Sequence, residues 1–440
     1  MAEAALKWSP TGAPLVSQRY DDVWFFNPSV GWAVNSAGHV LKTTNGGTTW
    51  DIKFRTPILP TGRPVYLRCI TWADERVGWV GTLTSDLRLY QTTDGGEHWN
   101  PVAGLPTAAP QKVCGLYAVD QSMIYGSGTN DPSDGAAVIK SSDGGNSWTA
   151  FDMSTHASNL IDIYFQSRER GWVVGGFSEK PQPTYDDVKP VILFTEDGGN
   201  TWVDRLKDMR SEFVEGTWGW KIQFLDDQLG FVSLENMTEA FILKTVDGGK
   251  NWSKFSVSGN ANIEGIGFLN ASNGWVGGWG DEDFASGKSS VTNDGGQSWQ
   301  NADVIGRFIN RFRFFGNPVS LGYAAGRSIY KFAPPAQTES VASTAVAAAA
   351  RAETETTQSY NGQVPIKFQV PAGSQRATLH IWNRFGKEMR TLVDDKKPEA
   401  GLREIIWDRK DDQGQTVRRG VYIYRATVDG NAESRIFALR

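Results

Sequence analysis

Carboxylates recur along the first three quarters of this 440-residue chain, at Asp94, Asp143, Asp197, Asp247 and Asp294, with Asn45 in the matching first position. Two kinds of chemistry fit such a set. Carboxylates converging from two sides of a cleft could run acid–base or nucleophilic hydrolysis of a glycosidic bond. A carboxylate inside a tight turn would instead accept backbone N–H bonds and do nothing to a substrate. The neighbours favour the turn, because every copy is followed by Gly-Gly and, five residues on, by Trp, as in Thr195-Glu-Asp197-Gly-Gly-Asn-Thr-Trp202. Glycine takes positive φ without a steric cost, and the Trp opens a following strand with a large surface to bury. These six positions are therefore expected to be structural.

The spacing is a repeat of roughly 50 residues, the mark of stacked supersecondary units; at this spacing, strands mean a β-propeller. Each unit reads as four strands. An apolar run such as Val23-Trp24-Phe25-Phe26 comes first and a Gly-Trp segment second. A third strand leads into the Gly-Gly turn, and a fourth starts at its Trp. A seventh unit at 312–332 has Gly322-Tyr323 and Ile329-Tyr-Lys-Phe332 but neither turn nor fourth strand. Leu6-Lys7-Trp8 supplies that strand in this reading and hides both sheet edges.

The turn motif resembles the Asp-box (BNR) repeat of sialidase-like propellers. A second signature, Gly31-Trp32, Gly78-Trp79, Gly171-Trp172 and Gly274-Trp275, is similar to that of photosystem II assembly factor-like propellers. That resemblance covers residues 1–335 and implies a non-catalytic protein. The nearest enzyme pattern is the arginine motif of sialidases, matched approximately by Phe54-Arg55-Thr56-Pro57, but it follows the first turn instead of preceding it.

Aligning innermost strands on the Gly-Trp signature separates two faces. One is apolar and fills the space between blades. The other faces the central channel and carries Asp22, Asp162, Lys221 and Arg313. Asp162 should pair with Lys221 from the adjacent blade, and Arg313 with Asp22 across the closure. Long insertions lie on the face opposite the Gly-Gly turns, at 178–190, 205–220 and 280–288. They hold Tyr185, Asp186, Trp218, Trp220, Asp281, Asp283 and Phe284. Exposed aromatics beside acids suit a glycan or a basic protein partner.

The chain has 18 Trp, 48 Gly, 12% aromatic residues and a net charge of -5, which fits many short strands and gives no support for nucleic-acid binding. No apolar stretch is long enough to span a membrane. The four scattered histidines have no metal spacing, so neither metal nor cofactor is expected. Cys69 and Cys114 read as buried thiols, with a disulfide between neighbouring blades as the alternative. Residues 336–360 form an Ala-rich linker. Residues 361–440 read as a small β-sandwich, with strands at Ile366–Val370, Thr378–Trp382, Arg403–Trp407 and Gly420–Arg425. Trp407-Asp408 through Gly420-Val-Tyr422 resembles the Ig-like domain of flagellar hook-capping proteins, except that Arg409 stands where that family has Gly.

The expectation is an all-β chain, a seven-bladed propeller (1–335) followed by an Ig-like sandwich (361–440). It acts as a binding or assembly scaffold outside the cytoplasm, although no signal peptide is visible. The alternative is a glycoside hydrolase of sialidase or xyloglucanase type.

Overall fold

The computed structural model describes residues 7–16, 19–279, 289–302, 305, 307–315, 319, 321–333, 363–383, 388–417 and 420–439. Leu6, Asp281, Asp283, Phe284 and the 336–360 segment lie outside the described residues. The chain divides into two compact units, the larger built from Trp8–Asp281 and Gly287–Phe332.

In that unit the described residues form seven four-stranded antiparallel sheets. Their innermost strands are Tyr20–Phe25, Leu67–Trp72, Gly115–Ala118, Asn159–Phe165, Trp218–Phe224, Ile263–Phe268 and Arg311–Phe315. We number the blades one to seven in this order. Consecutive innermost strands touch, and Arg311–Phe315 touches Tyr20–Phe25, so the sheets close into a ring.

The Gly-Trp signature has a packing cause. A Cβ at Gly31 would stand 2.4 Å from the Phe25 ring of the paired strand, and one at Gly171 2.5 Å from Phe165. Only glycine lets the aromatic lie flat on the neighbouring strand. The next residue then covers the equivalent aromatic of the following blade. Trp32 meets Trp72 at 5.0 Å between centroids, Trp172 meets Phe224 at 4.4 Å, and Tyr323 stacks on Phe25 at 3.6 Å across the closure.

Blade seven is completed by the N-terminal strand Lys7–Pro10, which lies outside Ile329–Ala333. Just beyond it, the Thr11 N–H donates to the Ile329 carbonyl at 2.9 Å. Trp8 is buried among Trp275, Phe312, Phe314 and Phe332, with centroids 5.1 to 6.1 Å away.

The smaller unit pairs Val364–Val370 with Gly401–Trp407 in one sheet. A second sheet runs in the order Glu388–Asp395, Ala377–Asn383, Gly420–Val428, Asn431–Leu439. Ile366, Phe368, Leu379, Ile381 and the fully buried Trp407 fill its core. Arg409 has φ 60°, the left-handed region that glycine occupies freely, which explains why a glycine suits that position.

Trp8→Ala should destabilise the larger unit by about 3–5 kcal/mol, read from chemical denaturation, because a buried indole leaves a cavity between blades six and seven. An unchanged denaturation midpoint would mean that the ring does not depend on this strand.

Candidate functional site

Two groups of residues could carry function: the charges at the axis and the loops of blades four and five. The axis comes first because backbone irregularity creates it. In blades one, two, four, five and six the innermost strand shifts register at one place, between Tyr20/Asp22, Leu67/Cys69, Leu160/Asp162, Gly219/Lys221 and Ile263/Gly265. A bulge of this kind adds a residue and re-aims its side chain. Asp21, Arg68, Ile161, Trp220 and Glu264 occupy the extra positions, and all are buried.

One charged layer contains Asp22, Asp162, Lys221, Arg311 and Arg313. Arg313 Nη2 lies 3.2 Å from Asp22 Oδ1, as the sequence predicts. Lys221 Nζ lies 3.9 Å from Asp162 Oδ1, too long for a hydrogen bond. The principal partner of Asp162 is Arg311, which the sequence reading missed. It reaches from blade seven to blade four and holds both carboxylate oxygens, at 2.8 and 3.0 Å. Burial pushes the Asp162 carboxyl up, but Arg311 and Lys221 outweigh it and hold it below the ordinary range. Burial, helped by Arg311, pushes Lys221 down to about 7.

A second layer is built on the bulges. Asp21 Oδ1 accepts from Arg19 Nε at 3.0 Å, Arg68 Nη1 at 2.6 Å and Tyr66 Oη at 3.2 Å. Arg19 also donates to Glu264. Indoles line this layer: Arg19 stacks over Trp279 and Arg68 over Trp220, 4.7 and 4.8 Å from the ring centres. Trp220 Nε1 donates to Asn310 Oδ1 at 2.7 Å, and Trp279 Nε1 to Glu264 Oε1 at 2.9 Å. Strict alternation along each strand hid Asp21, Arg68 and Glu264. Their one signal was charge inside otherwise apolar runs. Cys69 and Cys114 are buried free thiols in the neighbouring blades.

The loop face needs a correction. Trp218 and Trp220 were expected to be exposed but are each only 1% exposed. They belong to the innermost strand of blade five, where Trp218 packs on Trp220 at 5.5 Å. Tyr185 is half-buried against Trp218 at 5.2 Å, and Asp186 is exposed. The loops themselves do meet. The Gly216 N–H donates to the Val188 carbonyl at 2.9 Å, and Lys180 lies 2.6 Å from Asp187 and 3.6 Å from Glu215. Glu179, Asp186, Asp208, Glu212, Val214 and Glu215 are exposed around this junction. Arg55, of the arginine-like motif, is exposed on an outermost strand and bonded to His39 at 2.6 Å, away from both groups.

The Gly-Gly turns are spent on structure. Asn45 and the five aspartates each accept the N–H four residues on, at 2.9 to 3.0 Å. The preceding Thr or Ser hydroxyl accepts the second glycine N–H at 2.8 to 2.9 Å. The first glycine's carbonyl is taken by the preceding blade. Lys140 donates to Gly198, Arg170 to Gly248, Lys244 to Gly295 and Lys331 to Gly46, at 2.9 to 3.2 Å.

With this geometry in place, the chain can be set beside known proteins. Residues 354–432 match the family model of the FlgD Ig-like domain. Photosystem II assembly lipoprotein Ycf48 of Synechococcus sp. (strain CC9902) is 28% identical over 155 residues, 35% of this chain and 39% of that protein. The match therefore spans well under half of that relative. A solved structure of YCF48 bound to D1 peptide superposes with TM-score 0.54 at 19% identity, covering 76% of this chain and 99% of that one. An ancestral GH74 enzyme superposes with TM-score 0.51 at 13% identity, covering 98% of this chain and 64% of that one. The larger unit is a propeller, and the C-terminal unit is Ig-like.

Asp162→Ala should cost about 3–5 kcal/mol by leaving Arg311 buried and uncompensated. Removing Asp394, whose pairing with Arg376 is 3.0 Å long but solvent-exposed, should cost about 1 kcal/mol or less. Urea denaturation of the two variants makes the comparison.

Acid should loosen the turns. Bonds from the hydroxyls and N–H groups of Ser147, Thr201 and Ser298 lower Asp143, Asp197 and Asp294 from 3.8 to about 2. Their contribution is complete above the ordinary 3.8 and is lost as pH falls through about 2. Asn at all three positions, as at position 45, should flatten the melting temperature against pH in that window.

Proposed function

We propose that this protein is a non-catalytic scaffold that holds a basic protein segment on the joined loops of blades four and five. The observation that carries this reading is the junction of the 178–190 and 205–220 loops. Their buried contacts are internal, while the exposed carboxylates Glu179, Asp186, Asp208, Glu212 and Glu215 outnumber the exposed lysines Lys180 and Lys207. An excess of exposed acid on these loops suits a cationic partner through electrostatic complementarity. The shared fold with a propeller solved with a bound peptide supports the choice of a protein over a small substrate.

A glycan fits less well. Sugar sites need exposed ring faces, and both Trp218 and Trp220 are consumed in packing. Glycoside hydrolysis is the second reading, on the fold likeness to the GH74 enzyme and the repeat's resemblance to sialidases. The six turns in this reading are Asp-box repeats with a purely structural role. We further propose that the protein works outside the cytoplasm, with the Ig-like domain serving export or attachment, as similar domains do in secreted bacterial proteins.

A photo-crosslinking residue at position 186 should capture a protein partner in the cells that make this chain, and one at position 146, on the Gly-Gly turn face, should not. Glu215→Lys combined with Asp186→Lys should weaken the captured complex at least tenfold. Capture at 146 alone, or turnover of chromogenic glycosides by the unmodified protein, would overturn the scaffold reading.

A further inference from the structure

The two axial layers differ in charge balance. In the bulge layer the cations Arg19 and Arg68 face the carboxylates Asp21 and Glu264. In the other layer, among the described residues, the cations Lys221, Arg311 and Arg313 share only Asp22 and Asp162. That layer therefore carries one cation more than it has carboxylates.

The excess sits on Lys221. Its side chain is 2% exposed, and Nζ has no hydrogen-bond acceptor among the described residues. Both oxygens of Asp162 are already taken by Arg311, and Nζ stops 3.9 Å away. More donors go unused beside it. Arg311 Nε lies 3.3 Å from Asp22 Oδ1 without a hydrogen bond, and Arg68 Nε and Nη2 are buried with no acceptor among the described residues. Arg68 belongs to this neighbourhood because it stacks on Trp220, the residue before Lys221. Buried donors without acceptors are costly, and more so on a charged group.

We propose that the axis binds one monovalent inorganic anion of the halide class at Lys221 Nζ, with Arg68 and Arg311 as flanking donors. The charge count sets the valence: one negative charge neutralises the layer, whereas a phosphate would leave it negative between Asp22 and Asp162. Burial limits the size, since the side chains of Lys221 and Arg68 are only 2% and 1% exposed. The charged and titratable groups that act electrostatically with the ammonium include Asp22, Asp162, Arg68, Arg311 and the thiols of Cys69 and Cys114. With Lys221 down to about 7, the anion competes with loss of the ammonium proton. Only the protonated form binds, so the apparent affinity should fall roughly tenfold between pH 6 and pH 8.

The test is thermal unfolding of the full chain in chloride against gluconate at equal ionic strength. Chloride should raise the melting temperature by about 2–4 °C at pH 6 and by much less at pH 8. Lys221→Met should abolish the chloride increment, and bromide-soaked crystals of the unsubstituted protein should show an anomalous peak within hydrogen-bonding distance of Nζ. Equal melting in chloride and gluconate at pH 6 would overturn the proposal, as would a chloride increment that survives Lys221→Met. If the Met variant fails to fold, the bromide experiment decides: no peak beside Nζ means no anion site.

Discussion

In five of the six Gly-Gly turns, the carbonyl of the first glycine is where one blade is fastened to the next. Lysine or arginine from the preceding blade ends there in four of the blades, and Gln91 reaches Gly144 in another at 3.4 Å. The contact needs the turn held in one conformation, which explains the fixed Thr/Ser hydroxyl, the fixed acid and the two glycines with positive φ. The turns are thus part of the joint between blades. Without them the aromatic pairs such as Trp172 on Phe224 would have no fixed register.

The axis obeys a different requirement. Seven strands brought side by side bury the charges between them, so a charge there is costly unless another blade supplies its partner. Arg311 on Asp162 spans the ring, and Asp21 gathers donors from blade two and from the segment before blade one. Buried pairs of this kind add little net stability over an apolar core, yet breaking one is expensive. Their effect is to make a wrong blade arrangement costly, because a misplaced blade would strand a charge.

Much of this was legible in sequence. The period, the Gly-Gly turns and the Gly-Trp pairs each impose a local geometry that a propeller satisfies, and the positions alternation selected, Asp22, Asp162, Lys221 and Arg313, lie on innermost strands. Alternation also caused the omissions. It has no place for a bulge, so Asp21, Arg68 and Glu264 were assigned to no site, and Arg311 was passed over two positions from Arg313. Trp218 and Trp220 followed a long polar segment and read as its continuation, although strand and aromatic packing begin at Trp218. In the C-terminal unit, Glu388–Asp395 and Asn431–Leu439 escaped notice because polar residues break the apolar alternation.

The pairing of Lys7–Pro10 with Ile329–Ala333 bears on the order in which the chain acquires its structure. The first propeller strand to leave the ribosome is among the last to find its partner. Until the final blade emerges, the growing ring has an open edge at each end, and Trp8 has no pocket. Contacts this distant in sequence slow folding and leave strand edges available to other chains. Synthesis of this protein therefore passes through a stage in which six blades exist and none of them is yet a ring.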